Sequence, residues 1–336
     1  DSAMTMPGRD AASSLARDVT VGMLGAGAMA ATHLAALARL GVQAAAYSPS
    51  GRAAVLAPRF GARGYDDLSA LISAVDVVDI CSPTDTHLDL ARAAFAEGKA
   101  VICEKPLART HDDALALAGA ARAAGAPLYV AHVVRYFAAY AAAREVIGRG
   151  ELGAVTELHL RRTGASPAGL WFHDERRSGG VLMDQLIHDF DFARWVLGDV
   201  VEVSATLRGE RVSAGTPPIT HARVTLKHAS GAVSQLAGGW LDQGAAFTTE
   251  LQAVGTAGTL RHGNAVGVLS VEDAASSRTV PLPAEDLPYD AQLAEFLAHL
   301  AGGPEPRIGV DDALAALDLT LAAIESARTG RPVRIC

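Results

Sequence analysis

The chain has 336 residues, of which half are hydrophobic and a fifth charged, with a formal net charge of -8. At roughly 100–200 residues per domain that length suggests two domains, and the composition excludes global disorder. The acidic balance argues against a nucleic-acid partner, no run of ~18 strongly apolar residues could cross a membrane, and Cys81, Cys103 and Cys336 are too few and scattered for a disulfide framework.

The expectation is a soluble, reduced, cytoplasmic protein. Residues 1–17 are small, polar and aperiodic, without the apolar stretch of a signal peptide, and are expected to form a flexible leader. From there, strands are expected at Val19–Leu24, Val42–Tyr47, Val75–Cys81, Ala100–Cys103 and Leu128–Ala131. Helices are expected at Met29–Leu40, Gly51–Phe60, Tyr65–Ser73, Leu88–Ala96 and His111–Ala124. Short apolar strands alternating with helices read as βαβ units, and the lack of polar alternation fits a parallel sheet covered on both faces. Residues 18–134 are therefore assigned to a doubly wound α/β domain of the Rossmann type.

The rhythm then changes. A helix over Tyr140–Arg149 ends at Gly150, Val155–Arg162 alternates like a half-exposed strand, and one helix is expected over Val181–Leu197. Strands follow at Val200–Arg208, His221–His228, Ala232–Ala237, Phe247–Val254, Gly258–Arg261 and Val266–Val271, and helices at Tyr289–Leu300 and Asp311–Thr329 close the chain. Consecutive strands joined by turns suggest an antiparallel sheet, so residues 135–336 are assigned to an α+β domain.

Gly25-Ala26-Gly27-Ala28-Met29-Ala30 is G-x-G-x-x-A, placed between the first strand and the first helix. The first glycine permits the tight turn, the second lets backbone approach a pyrophosphate, and the small third position lets helix and strand pack closely. The helix N-terminus offers N–H donors and partial positive charge to the phosphates. In a chain with 33 glycines the pattern alone is weak, and the strand–turn–helix context is what carries the dinucleotide reading.

An NAD site would place Asp or Glu about 20 residues further on, at the end of the second strand. That stretch is Tyr47-Ser48-Pro49-Ser50-Gly51-Arg52, with no acid. Ser48, Ser50 and Arg52 suit a 2′-phosphate, because arginine grips phosphate in a forked, charge-assisted geometry. NADP(H) is therefore favoured over NAD(H). The competing reading is a plain turn with Arg52 solvated.

Three more segments matter: Cys81-Ser82-Pro83-Thr84-Asp85-Thr86-His87, Glu104-Lys105-Pro106, and Ser178-Gly179-Gly180 leading to Asp184, His188 and Asp191. The first two follow strands, and open α/β sheets bind ligands outside the carboxyl ends of their strands. Lysine is scarce here (Lys99, Lys105 and Lys227 are the only three), so a lysine kept where arginine is the default hints that the amine matters.

Together these segments resemble the glucose–fructose oxidoreductase / inositol dehydrogenase family (Gfo/Idh/MocA), from Val19 to about Thr329. The most specific parts are Glu104-Lys105-Pro106 and the Gly179–Asp191 run. The resemblance implies a Rossmann domain, then a mostly antiparallel open sheet used for substrate binding and for a homo-dimer or homo-tetramer. It implies nicotinamide-dependent oxidation or reduction at a CH–OH carbon of a small sugar, sugar derivative or cyclitol. By position, Lys105 matches the family lysine near the nicotinamide ribose and reacting oxygen, and Asp184 and His188 match its acid and proton-transferring histidine. Glu104 and Pro106 frame the lysine, Pro106 commonly after a cis bond. Cys81, Ser82, Pro83 and Thr84 match the segment along the cofactor, with Thr84 where asparagine is usual, and Arg135 matches an arginine at the domain junction.

Physical chemistry supports these roles independently. Moving a hydride from an alcohol requires a base for the hydroxyl proton, and histidine titrates near neutrality. Asp184 and His188 stand four residues apart on one expected helix, and the Lys105 ammonium would stabilise alkoxide character on the oxygen. The bland readings are a surface Asp–His pair and an exposed loop lysine. Trp171 and His132 are candidate substrate contacts, although residues such as Trp171 and Phe172 are more often core or interface than a substrate wall, and His87 lines the cofactor cleft or caps a helix. A metal is disfavoured, because no His/Cys/Asp cluster shows ligand spacing. The alternative function is a sensor that binds dinucleotide and sugar without turnover; it need not keep Lys105, Asp184 and His188 together.

Overall fold

The computed structural model describes residues 19–210, 217–265 and 267–335, so the leader over residues 1–17 and Cys336 lie outside the described residues. In chain order the elements begin β1 (Thr20–Leu24), α1 (Ala28–Leu40), β2 (Gln43–Tyr47), α2 (Arg52–Leu56), β3 (Arg63–Tyr65), α3 (Leu68–Ala74) and β4 (Val77–Ile80). They continue α4 (His87–Ala96), β5 (Ala100–Glu104), α5 (His111–Ala124), β6 (Leu128–Ala131), α6 (Ala138–Gly148) and β7 (Val155–Ala165). Next come α7 (Glu175–Ser178), α8 (Gly180–Asp184), α9 (Ile187–Leu197), β8 (Val200–Glu210), β9 (Ile219–His228), β10 (Val233–Leu241) and β11 (Thr248–Gly255). The chain closes with β12 (Thr259–Gly263), β13 (Val268–Glu272), β14 (Ser277–Val280), α10 (Pro288–Leu300), α11 (Val310–Thr329) and β15 (Val333–Arg334).

The chain divides into two compact units: residues up to Ala108 with Asp112–Tyr136 and Leu287–Val310, and Arg109–His111 with Phe137–Asp286 and the chain from Asp311 onward. The first unit holds a six-stranded parallel sheet in the order β3-β2-β1-β4-β5-β6. Every residue of β4 and β5 is buried, as expected for strands covered on both faces. Helix α1 turns Leu34 and Leu37 into the core and stops at Gly41, whose φ of 73° lets its N–H reach back to Ala38 and Leu37. Helix α10, far downstream in sequence, adds Leu293, Phe296 and Leu297 to that same core. Its Phe296 stacks on Tyr129 at 5.0 Å and is fully buried, a burial that stabilises by roughly 1.5–3 kcal/mol.

The second unit holds a nine-stranded sheet in the order β14-β13-β12-β11-β7-β10-β9-β8-β15. Only β7 and β10 pair in parallel; the other described neighbours are antiparallel. Along β7 the period is two: Leu158, Leu160 and Arg162 are buried, while Glu157 and Arg161 are exposed on the opposite face.

Local readings miss β3, β14 and β15, which are short strands at or near sheet edges. The expected helix over Tyr65–Ser73 begins as strand and turns helical only after Asp67, whose carboxylate accepts from the Ala70 N–H at 2.7 Å. The expected helix over Val181–Leu197 is two helices, interrupted at Gln185 and Leu186. Gln185 donates its side-chain amide to the Arg162 carbonyl of β7 at 2.7 Å. Leu186 packs against Gly238 of β10, where a Cβ would lie 2.5 Å from its methyl. Tertiary anchoring of these two residues outweighs the continuous helical pattern, so Asp184 and His188 stand on two successive helices rather than on one.

Candidate active site

In the first unit, the loop Gly25–Gly27 leaves the end of β1 and starts α1. Gly25 has φ 138°, and a Cβ there would lie 2.5 Å from the Cys81 carbonyl, so only glycine fits against the β4 loop. A Cβ on Gly27 would meet nothing within 4 Å, so the backbone there faces open space. No side chain caps α1 and no acid stands in its first turn. The first-turn amides, with Ala28 and Met29 beside them, are therefore available to the phosphates of a dinucleotide, and the residues fit that group.

At the end of β2 the expected trio is hydrogen-bonded. The Ser48 hydroxyl accepts from the Ala53 N–H at 3.0 Å and lies 3.2 Å from the Ser50 hydroxyl, to which the Arg52 Nε donates at 3.1 Å. Ser48 is buried and serves the start of α2, whereas Ser50 and Arg52 are exposed.

The loops after β4 and β5 stand at the same sheet edge. Ser82 and Thr86 share a hydrogen bond of 2.6 Å, Thr86 donates to the Pro83 carbonyl at 2.7 Å, and Thr84 is buried. His87 is buried, with Nδ1 3.0 Å from the Pro106 carbonyl and Nε2 3.1 Å from the Ser82 carbonyl, so it ties the two loops together. Burial holds its imidazole below the usual histidine range, and the neutral ring donates to one of the two carbonyls. The Lys105–Pro106 bond is cis, and the half-buried Lys105 presents its backbone N–H to its neighbour's carboxylate, Glu104 Oε2, at 3.1 Å.

Behind this edge lies a buried polar cluster that spacing does not reveal. His33 of α1 places Nδ1 2.8 Å from Asp79 Oδ2 and Nε2 3.2 Å from Glu104 Oε1. Cys81 Sγ lies 3.5 Å from His33 Nδ1 and 3.6 Å from Asp79 Oδ1. One ligand-type atom from each of His33, Asp79 and Cys81 thus lies within 4.8 Å of the others, although no sequence spacing links α1 to β4. Burial disfavours the imidazolium, a Cys81 thiolate would favour it, and the Asp79 carboxylate does favour it; the result is a His33 pKa well above the usual value. Burial also pushes the Cys81 thiol far up, so it is protonated at neutral pH and Asp79 is the operative anion. Burial would raise Glu104, but the close contact with His33 and its charge, with the Lys105 charge, hold it below the usual carboxylate range. The only sequence signal was polarity out of place: a histidine on the apolar face of α1 and an aspartate inside an apolar strand.

Two further candidates of the first unit are buried. His132 is fully enclosed after β6, and Arg135, 1 % exposed, donates to the Arg307 carbonyl at 2.6 Å.

In the second unit, Asp184 ends α8 and His188 is the second residue of α9, both half-buried. Gly179 (φ 79°) precedes them, and a Cβ there would lie 2.5 Å from Met183 Sδ. Directly after His188, Asp189 is gripped by Arg162, which pins the first turn of α9 to β7. Half-buried Trp171 lies 4.0 Å from Phe172, whose ring meets Trp240 edge-on at 6.5 Å; His173 meets Trp240 at 5.5 Å. This aromatic group adjoins α8.

A depression of about 610 Å³ also crosses the exposed sheet face of this unit, lined by His159, Arg161, Gln235, Gln252 and Arg261 among others. None of its lining residues belongs to the expected chemistry.

Two family domains match the chain: "Oxidoreductase family, NAD-binding Rossmann fold" over residues 19–132 and "GFO/IDH/MocA C-terminal domain" over residues 140–261. The 1,5-anhydro-D-fructose reductase of Ensifer adhaerens is 30% identical over 280 residues, covering 78% of this chain and 80% of that protein. The inositol 2-dehydrogenase of Rhizobium meliloti (strain 1021) is 29% identical over 332 residues, covering 94% of this chain and 99% of that protein. Among solved structures, GenD2 from gentamicin A biosynthesis, in complex with NAD, superposes with a TM-score of 0.83 at 26% identity, covering 95% of this chain and 96% of its own. The chain belongs to the GFO/IDH/MocA family and is an oxidoreductase with an NAD-binding Rossmann fold. Among the described residues, no helix is long and apolar enough to cross a membrane.

Proposed function

We propose that the protein moves a hydride between a nicotinamide cofactor and a hydroxyl- or keto-bearing carbon of a sugar, sugar derivative or cyclitol. The observation that carries this reading is the sheet edge of the first unit. The G-x-G-x-x-A loop after β1, Cys81–Thr84 after β4 and Glu104–Pro106 at the end of β5 all stand at the carboxyl ends of adjacent strands, at or next to the β1/β4 position where strand order reverses. The names of the relatives support the substrate class: one is a reductase of an anhydro-sugar and another a dehydrogenase of a cyclitol.

When bound, the nicotinamide supplies the hydride acceptor or donor. Lys105 holds its ammonium toward the reacting oxygen and stabilises negative charge there. His188 takes the hydroxyl proton in oxidation and returns it in reduction, with Asp184 sharing that proton inventory. Trp171, His132 and Arg135 are proposed to shape the substrate side, Trp171 through its aromatic face. NADP(H) is proposed over NAD(H), on the absence of an acid at the end of β2 and the Ser50–Arg52 pair there. A cytoplasmic, homo-dimeric or homo-tetrameric protein is proposed. The open face of the second unit's sheet, with mixed charges such as Arg161–Glu250 and Arg261–Glu272, supports the assembly, and light scattering decides it.

The test is a titration of purified protein with NADPH and NADH, followed by a turnover screen of sugars and cyclitols. Turnover should fall on the order of 10²–10³-fold in Lys105→Ala and 10²–10⁴-fold in His188→Gln, with cofactor affinity kept within a few-fold. Dinucleotide binding with no turnover across the screen favours the sensor instead.

A further inference from the structure

We propose that His33 and Asp79 are positioning residues: their buried ion pair holds the Glu104 carboxylate and, through it, the backbone at Lys105. The proposal deepens the reading of Lys105 as the group at the reacting oxygen and rests on it.

The geometry is a chain of alternating charge running from the core to the sheet edge. Asp79 is fully buried on β4 and meets His33 Nδ1 at 2.8 Å. The opposite ring nitrogen faces Glu104 Oε1 at 3.2 Å, an ion-pair contact set off the direction of a hydrogen bond. The second Glu104 oxygen accepts the Lys105 N–H at 3.1 Å. Glu104 therefore has one oxygen directed at His33 and one at the lysine loop, and its orientation cannot change without breaking both contacts.

Charge explains why a histidine stands there. Two carboxylates enclosed side by side are costly unless a cation lies between them, and an imidazolium is the group that presents a donor in opposite directions. The charged and titratable groups facing His33 are Asp79 from β4 and Cys81 just after it, Glu104 from β5 with Lys105 next to it, and Tyr289 of α10, whose ring centroid lies 5.9 Å away. Cys81 is protonated and contributes no charge, so the imidazolium is set against the two carboxylates.

The same atoms raise the question of a metal ion. Ligand bonds of ~2.0–2.1 Å at tetrahedral angles put two nitrogen or oxygen ligands about 3.3 Å apart. The 2.8 Å between His33 Nδ1 and Asp79 Oδ2 is hydrogen-bond length instead. The cluster is a hydrogen-bonded strut.

The scarcity of lysine supplies a direct test. Reductive ¹³C-methylation leaves the dimethyl signals of Lys99, Lys105 and Lys227 beside that of the N-terminus, and Lys105→Arg assigns the third. In folded His33→Gln and Asp79→Asn proteins, the Lys105 signal should shift and broaden while Lys99 and Lys227 stay in place. A global packing defect would move all three. An unmoved Lys105 signal in both folded variants overturns the proposal. If His33→Gln does not fold, Asp79→Asn carries the test alone. If neither folds, ¹⁵N-histidine labelling of the wild type decides: one ring of the eleven should remain an imidazolium at pH 8, and none doing so overturns it. Stoichiometric zinc in the purified protein, lost in Cys81→Ser, would replace the strut by a metal site. None of these readouts uses turnover, so the catalytic role of Lys105 stands or falls separately, on the Lys105→Ala rate.

Discussion

Arg162 and Asp189 form a forked ion pair inside the second unit, with contacts of 2.8, 3.1 and 3.3 Å between guanidinium and carboxylate. Both side chains are almost wholly enclosed, and Tyr140 adds a contact of 3.5 Å to the guanidinium. Burial pushes the Asp189 carboxyl up and Arg162 pulls it back, whereas Asp189 holds Arg162 firmly charged. The pair is ionised: arginine stays protonated and the carboxylate accepts three contacts from it.

Breaking that pair from one side strands a buried charge. Asp189→Ala should cost about 3–5 kcal/mol in urea or thermal unfolding, whereas a surface pair such as Arg328–Glu325 should cost less than about 1 kcal/mol. Since Asp189 follows His188, the variant should also lower turnover in whatever fraction stays folded. A loss below 1 kcal/mol for Asp189→Ala would show that the pair is not formed in solution.

Cofactor choice hangs on an exposed arginine. Replacing Arg52 with alanine should weaken NADPH binding by about 10–100-fold, the worth of a charge-assisted bond to phosphate, and leave NADH binding nearly unchanged. Ser50→Ala should act in the same direction but less. Fluorescence titration gives both constants; equal effects on NADPH and NADH would mean that Arg52 does not meet a 2′-phosphate.

Gly25→Ala sets a methyl against backbone. The Cβ would lie 2.5 Å from the Cys81 carbonyl at a φ of 138° that side chains rarely adopt. Strain of this kind costs roughly 1–3 kcal/mol, and separation of the two loops should lower affinity for either dinucleotide by at least about tenfold. Gly27→Ala meets no protein atom, so it should melt like wild type yet still lose affinity. The contrast between the two melting curves is the check.

His33 links stability to pH. Its folded pKa is raised well above an unfolded value of about 6.5, so its contribution is complete below that value and is lost as pH rises through the folded one. In that window the native state holds one proton more than the unfolded state, and stability falls by up to about 1.4 kcal/mol per pH unit. Denaturant midpoints from pH 6 to 9 should therefore decline less in His33→Gln than in wild type. Parallel curves would mean the ring is neutral when folded.

The βαβ rhythm of the first unit and the alternation in β7 are legible because strand and helix periods repeat within a few residues. The G-x-G-x-x-A loop and Glu104-Lys105-Pro106 are equally local, being short strings next to strand ends. Strands β3, β14 and β15 escape because two to four residues carry too little pattern to register.

Sequence alone determined the class of each half, the phosphate loop and the lysine, since each is written in contiguous residues whose backbone needs are local. Tertiary structure alone decided the rest. The helix breaks at Gln185 because β7 and β10 offer Gln185 and Leu186 better contacts than a continuing turn. Helix α10 completes the core of the first unit because its apolar face is buried there, more than 150 residues downstream of Tyr129, whose ring Phe296 covers. His33, Asp79 and Glu104 form one series of contacts only when the fold sets His33 of α1 against Asp79 of β4 and Glu104 of β5. Burial then turns three separate polar residues into a coupled set, because charges enclosed in a low-dielectric core must find partners wherever the fold brings them.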